Sequence, residues 1–98
     1  MTSMPVTPRK TFARDEALAV ATLLGMDFEV LPYDLEQFRM GMDVELEHGR
    51  RSPATDVTSD DSVITGKIAL AHLNEFPDYY TRLAVMEREA ASHWRSRI

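Results

Sequence analysis

The spacing of the apolar residues constrains this sequence more than any other feature. In four segments they recur every three or four positions, as Leu35, Phe38, Met42 and Leu46 do. This spacing places side chains on one face of an α-helix, whereas the residues of a half-buried strand alternate. The sequence therefore predicts helices over roughly 12–24, 35–48, 60–75 and 78–95, with glycine or proline between most of them.

Four helices in a chain of this length predict an all-α fold with a single small domain, either a helical bundle or an orthogonal array. Local signals indicate where the helices begin and end. We expect Thr11 to cap the first helix, Asp34 the second and Thr58 the third. Gly25 is expected to end the first helix, and Gly49 is expected to lie just past the end of the second.

Composition and flanking segments agree with one globular domain. The chain has 98 residues, of which 44% are hydrophobic, and a chain of this size buries a modest core. Residues 1–11 contain two prolines among small polar residues and are expected to form a flexible N-terminal arm. The helical domain is expected over 12–95, followed by a C-terminal tail over 96–98.

The absence of cysteine excludes disulfides, thiolate zinc sites and cysteine nucleophiles, and it fits a reducing interior. No apolar stretch approaches the roughly 18 residues of a membrane span, and the N-terminus has no apolar signal-peptide core. We therefore expect a cytoplasmic protein that does not associate with membranes.

Charge is distributed unevenly along the chain. The net charge is −5, and residues 15–47 carry nine acidic residues against one arginine. An acidic middle argues against binding along a nucleic-acid backbone, for which only Arg9, Lys10, Arg50 and Arg51 offer basic clusters. The basic ends can pair with the acidic middle or with a partner.

Two pairs of acidic and histidine residues suggest a candidate site. Glu45 and His48 are three residues apart on the second helix, and His72 and Glu75 repeat the pairing in reverse order on the third. Helical bundles hold metal ions with carboxylates and imidazoles at this spacing. The four residues are therefore a candidate site for iron, manganese or zinc. The alternatives are a buried hydrogen-bonded network between the two helices, or free surface groups.

Helical geometry refines this prediction. At 100° per residue, Gly41, Glu45 and His48 share one flank of the second helix, where the glycine would let another helix approach closely. Glu75 is expected on the apolar stripe of the third helix, with Ile64, Ile68 and Ala71. A carboxylate buried there would need a partner. We expect the two pairs to converge between the second and third helices.

The fourth helix has an apolar stripe that ends at Trp94. On this pattern Tyr79 is expected in the core, whereas Tyr80 is expected to offer its ring as a contact. Trp94 either completes the core or, with Arg95 and Arg97, anchors an interface, because tryptophan and arginine are typical interface anchors.

The central stretch resembles a family of small uncharacterised helical proteins from bacteria and phages. The resemblance is carried by FRMGMDVELEHG and TGKIALAHLNEFPDYYTRL, with LLGMDF after the first helix, and it extends over roughly residues 12–94. It implies no catalytic residue and no ligand.

Two functions follow from these observations. The sequence contains no nucleophile elbow, no glycine-rich phosphate loop and no complete catalytic set. It is best interpreted as a non-enzymatic interaction or accessory module, phage- or mobile-element-related, that needs no cofactor and binds a protein partner or a second copy. The alternative is a metal-binding helical protein that uses Glu45, His48, His72 and Glu75.

Overall fold

A computed structural model describes residues 11–96 and contains four helices. They are α1 (Arg14–Leu23), α2 (Leu35–Arg50), α3 (Ser62–Glu75) and α4 (Tyr79–Arg95). No strand occurs within this range. The all-α prediction, with one small domain of four helices, is confirmed. The predicted flexible arm lies, except for Thr11, outside the described residues.

The centre of the fold is the contact between α2 and α3, with α1 packed across both. The apolar face of α2 supplies Phe38, Met42 and Leu46, which are at most 1% exposed. The four-residue spacing of these side chains keeps them on one stripe. Small residues let α3 approach: the helix buries Thr65, Gly66 and Ala69 and then Leu73.

The buried face of α3 differs from the predicted one. We expected Ile64, Ile68, Ala71 and Glu75 to share a covered stripe, yet Ile64 is 41% exposed and Ala71 and Glu75 are also exposed. Because α3 is apolar nearly all round, its hydrophobic pattern does not select a face. The small residues determine which face packs, since they permit the closest approach to α1 and α2.

Two predicted helix boundaries are confirmed. The Asp34 carboxylate accepts a hydrogen bond of 2.9 Å from the backbone N–H of Gln37. Gly25 ends the α1 region with a φ of +71°, a left-handed conformation that favours glycine.

Three other boundary predictions are wrong. The N-cap of α1 is Ala13 rather than Thr11, and the backbone N–H of Ala13 is bonded by the Glu16 side chain instead. Asp61 rather than Thr58 caps α3, because its carboxylate accepts a hydrogen bond from Ile64. Gly49 lies inside α2, where the side chains of the loop before α3 pack directly on it.

The fourth helix buries side chains against the domain only at its beginning. Its one fully buried residue in the described structure is Tyr80, while Tyr79 and Leu83 are half-buried. Every residue from Val85 to Ser96 is exposed. The predicted roles of the two tyrosines are therefore reversed, and Trp94, at 65% exposure, does not complete the core.

Candidate functional site

The candidate site is built around the carboxylate of Glu45, which is buried on α2. The Tyr80 hydroxyl donates a hydrogen bond of 2.7 Å to Glu45 Oε2. His72 Nε2 lies 3.8 Å from the same oxygen, and His48 Nδ1 lies 3.9 Å from Oε1. Both imidazoles are beyond hydrogen-bond distance. Tyr80 is therefore the group that directly satisfies this buried carboxylate.

A second carboxylate, that of Glu87, contacts His48 on the solvent-exposed side of the site. Glu87 Oε1 on α4 lies 3.1 Å from His48 Nε2, so His48 stands between the carboxylates of Glu45 and Glu87. We call Glu45, His48, His72, Tyr80 and Glu87 the Glu45 network. It connects α2 to α4 through Tyr80 and Glu87, and it places α3 alongside through His72.

The aromatic rings give the network its shape. The His72 ring stacks on Tyr79, with centroids 4.4 Å apart and planes 10° apart, and it meets Tyr80 edge-on at 6.3 Å. Burial, and then the hydrogen bond to Glu45 and its negative charge, raise the pKa of Tyr80 far above its usual value. Tyr80 thus stays protonated and remains a hydrogen-bond donor.

Gly41 explains why α4 can reach Glu45. It lies one turn before Glu45 on the same flank of α2, and the Tyr80 ring rests on it. A Cβ atom at position 41 would lie 2.8 Å from Tyr80 Cδ2, closer than real side chains pack. The flank predicted from Gly41, Glu45 and His48 therefore exists, and the helix that approaches it is α4.

The structure brings three of the four predicted site residues together. Glu45, His48 and His72 converge, whereas Glu75 is exposed and, within residues 11–96, makes no hydrogen bond or ion pair with the Glu45 network. The prediction that Glu75 is buried is wrong because α3 turns a different face to the core. The charge of Glu75 acts on Tyr79, whose pKa is raised mainly by burial, then by Glu45 and by Glu75.

Sequence reasoning missed Tyr80 and Glu87. They are seven residues apart on α4, which places both on one side of the helix. That spacing is the signal that could have identified them. A tyrosine and a carboxylate on the inner side of α4 match the buried carboxylate and the histidine on the flank of α2.

The atoms of the Glu45 network already contact one another. The Tyr80 hydroxyl is hydrogen-bonded to Glu45 Oε2, and Glu87 Oε1 lies 3.1 Å from His48 Nε2. Among residues 11–96, no group of three or more histidine, aspartate and glutamate side chains has an arrangement suited to a metal ion. The side-chain Nδ1 of His72 is buried and has no hydrogen-bond partner in the same range. Metal binding at Glu45, His48, His72 and Glu75 stays a prediction.

A second candidate surface begins where α4 starts. A groove of about 290 Å³ is lined by Phe76, Tyr79, Arg82, Leu83 and Met86, and we call it the base groove. The guanidinium of Arg82 lies 4.5 Å above the Phe76 ring. The groove is apolar, with one cationic edge.

An exposed apolar stripe continues the groove toward the end of α4. It consists of the half-buried Leu83 and the exposed Met86, Ala90 and Trp94, and we call it the α4 face. Met86 is 58% exposed and Trp94 is 65% exposed. No other element within residues 11–96 covers the outer half of this face.

Comparison with known protein families identifies the family to which this chain belongs. Residues 17–89 match the family model described as "Protein of unknown function (DUF5661)". The chain belongs to this family. The match includes the Glu45 network and most of α4. The DUF5661 description assigns no activity, and no match was found among curated proteins or solved structures. Within residues 11–96, none of the helices has the length and apolar character that crossing a bilayer requires.

Proposed function

We propose that this DUF5661 protein is a small non-enzymatic interaction module whose binding surface is the α4 face. One observation carries the proposal: every residue in the last three turns of α4, from Val85 to Ser96, is exposed, although Glu87 reaches His48 on α2. Helices of this length are marginal in water without tertiary packing. A partner that covers the stripe would supply the missing packing.

The chemistry of the surface supports the same function. Phe76, Met86 and Trp94 are each about half exposed or more, and they lie along one side of the base groove and the α4 face. Contiguous exposed apolar surface is typical of protein-interaction sites, and their composition favours tryptophan, methionine and arginine. The Glu45 network supports this role because it holds the base of α4 in one orientation.

The setting of the interaction is also a proposal. The resemblance to phage-associated proteins supports an accessory role in a phage or another mobile element. The absence of cysteine supports a reducing cytoplasm as the compartment. The acidic middle of the chain favours a protein partner over a nucleic acid.

Photo-crosslinking at position 94 tests the interaction module. A photoreactive amino acid replaces Trp94 in the full chain, and a matched variant carries it at Ser92, which lies on the opposite side of the same exposed turns. We expect discrete adducts in cells from position 94 and none from position 92. No adduct from either position, or equal adducts from both, would contradict the proposal.

Metal binding is a second candidate function, supported by the two imidazole nitrogens, of His72 and His48, that lie 3.8 and 3.9 Å from the Glu45 carboxylate. Elemental analysis of protein prepared without chelator and without a histidine tag tests it. About one equivalent of iron, manganese or zinc that is lost in His48→Ala would support the site. Metal content that is unchanged in that variant would contradict it.

A further inference from the structure

We propose that the partner of the α4 face is a second copy of the same chain, bound in antiparallel orientation through α4. The inference deepens the proposed function and rests on it. The first observation is spacing: Tyr79, Leu83, Met86 and Ala90 follow one another at intervals of four, three and four residues. This is the repeat with which two helices pack side by side along a continuous seam.

The charges that flank the seam select a partner of the same sequence. Arg82 and Glu89 are seven residues apart and lie on the same side of the α4 face. When Leu83 of one copy faces Met86 of the other in antiparallel alignment, Arg82 lies beside Glu89 of the second copy. The two-fold axis repeats this pair, so a single helix supplies both members of both ion pairs.

Existing contacts favour the antiparallel orientation over the parallel one. A parallel pair would match Arg82 with Glu87, but Glu87 already faces His48 of its own chain at 3.1 Å. Glu89 is exposed and has no ion-pair partner within residues 11–96. Arg82 is bonded to Asp78 of its own chain at 2.8 Å, so both orientations draw on an arginine that already has one partner. The antiparallel orientation differs in using the acidic side chain that the fold leaves unpaired.

The same alignment gives Trp94 a place to bind. It brings Trp94 of one copy over Phe76 and Tyr79 of the other, which lie at the wall of the base groove. The groove volume of about 290 Å³ suits one large aromatic side chain. The anchor and its receptor belong to the same chain, so the two-fold axis forms the contact at both ends of a symmetric dimer and leaves neither site open.

The available area sets the expected strength of association. Phe76, Met86 and Trp94 each expose on the order of 100 Å² of side chain. With the stems of the flanking arginines, two copies would bury on the order of 1,000 Å², near the lower limit of specific interfaces. We therefore expect a reversible dimer with a dissociation constant in the micromolar range.

Sedimentation equilibrium of the full chain from about 1 to 500 μM tests the dimer at concentrations that bracket such a constant. Glu89→Arg is expected to weaken the association about tenfold, because it places two like-charged pairs in the interface. Arg82→Glu also removes the bond to Asp78 in its own chain, so the deciding variant is the combination of the two substitutions, which should restore the association that Glu89→Arg weakens. Arg88→Glu, on the opposite side of α4, is the control and should leave the association unchanged.

The emission of Trp94 reports the same event at the site itself, since this is the only tryptophan in the chain. It should shift to shorter wavelength as the dimer forms. A chain that stays monomeric up to about 500 μM, or a dimer that Glu89→Arg does not weaken, would overturn the inference. If the chain is monomeric but position 94 still crosslinks to a different protein, the inference of a homodimer fails and the interaction module stands. A monomer with no adduct would also overturn the interaction module.

Discussion

Replacing Tyr80 with phenylalanine tests the contact that attaches α4 to the rest of the domain. The substitution keeps the ring against Gly41 and removes only the hydroxyl that donates to Glu45 at 2.7 Å. The carboxylate would then keep His72 at 3.8 Å and His48 at 3.9 Å beside it. Both distances are too long for a hydrogen bond.

The expected cost follows from the burial of Glu45, which is 9% exposed. A hydrogen bond to a buried charged group contributes roughly 1.5–3 kcal/mol. We therefore expect Tyr80→Phe to lower the free energy of unfolding by about 2 kcal/mol. For a domain of this length that corresponds to a decrease in Tm of roughly 8–16 °C.

Urea denaturation at pH 7, followed by circular dichroism at 222 nm, measures the effect. Tyr79→Phe is the matched control, because the Tyr79 hydroxyl has no hydrogen bond in the described residues and its loss should change stability by less than about 0.5 kcal/mol. A loss below about 0.5 kcal/mol in Tyr80→Phe, or equal losses in the two variants, would refute the claim that this hydroxyl satisfies Glu45.

Three further predictions concern the same region. The pKa of Tyr80 is higher in the folded state, so the unfolded chain loses the phenol proton first as pH rises. The free energy of unfolding should therefore fall above about pH 10, and fall less in Tyr80→Phe. Equal pH profiles of the two proteins would contradict this prediction. Gly41→Ala should destabilise the protein by about 1–2 kcal/mol in urea melts, because the alanine Cβ would overlap the Tyr80 ring. This loss should outweigh the better helix propensity of alanine. A more stable variant would show that α4 does not pack against position 41. Glu75→Ala should change stability by less than about 0.5 kcal/mol because the side chain is exposed, and a loss above 1 kcal/mol would indicate a partner for Glu75.

The sequence was sufficient for the parts of the fold that local patterns determine. Periodicity predicted four helices, and the Asp34 cap and the Gly25 stop followed from backbone chemistry. Within the site, the i, i+3 and i, i+4 relations correctly grouped Gly41, Glu45 and His48. These relations depend only on the geometry of one helix, so no knowledge of tertiary packing was needed.

The incorrect predictions concern which element packs against which face of a helix. Helix α3 is apolar on most sides, and the position of Glu75 depended on close approach at Gly66 and Ala69 rather than on hydrophobicity. The stripe ending at Trp94 was periodic and predicted a covered face, but periodicity does not say whether the cover comes from the same chain. Tyr80 was missed because its role depends on the angle at which α4 crosses α2.

Amide hydrogen exchange along α4 tests the central claim most directly, namely that this helix is attached at its base and free at its outer end to bind. In dilute protein, we expect amides of residues 85–96 to exchange far faster than those of α2, and to become protected when the α4 face is occupied as the chain is concentrated. Residues 85–96 that are as protected as α2 in dilute protein would contradict the account, because the helix would then be stable without any partner.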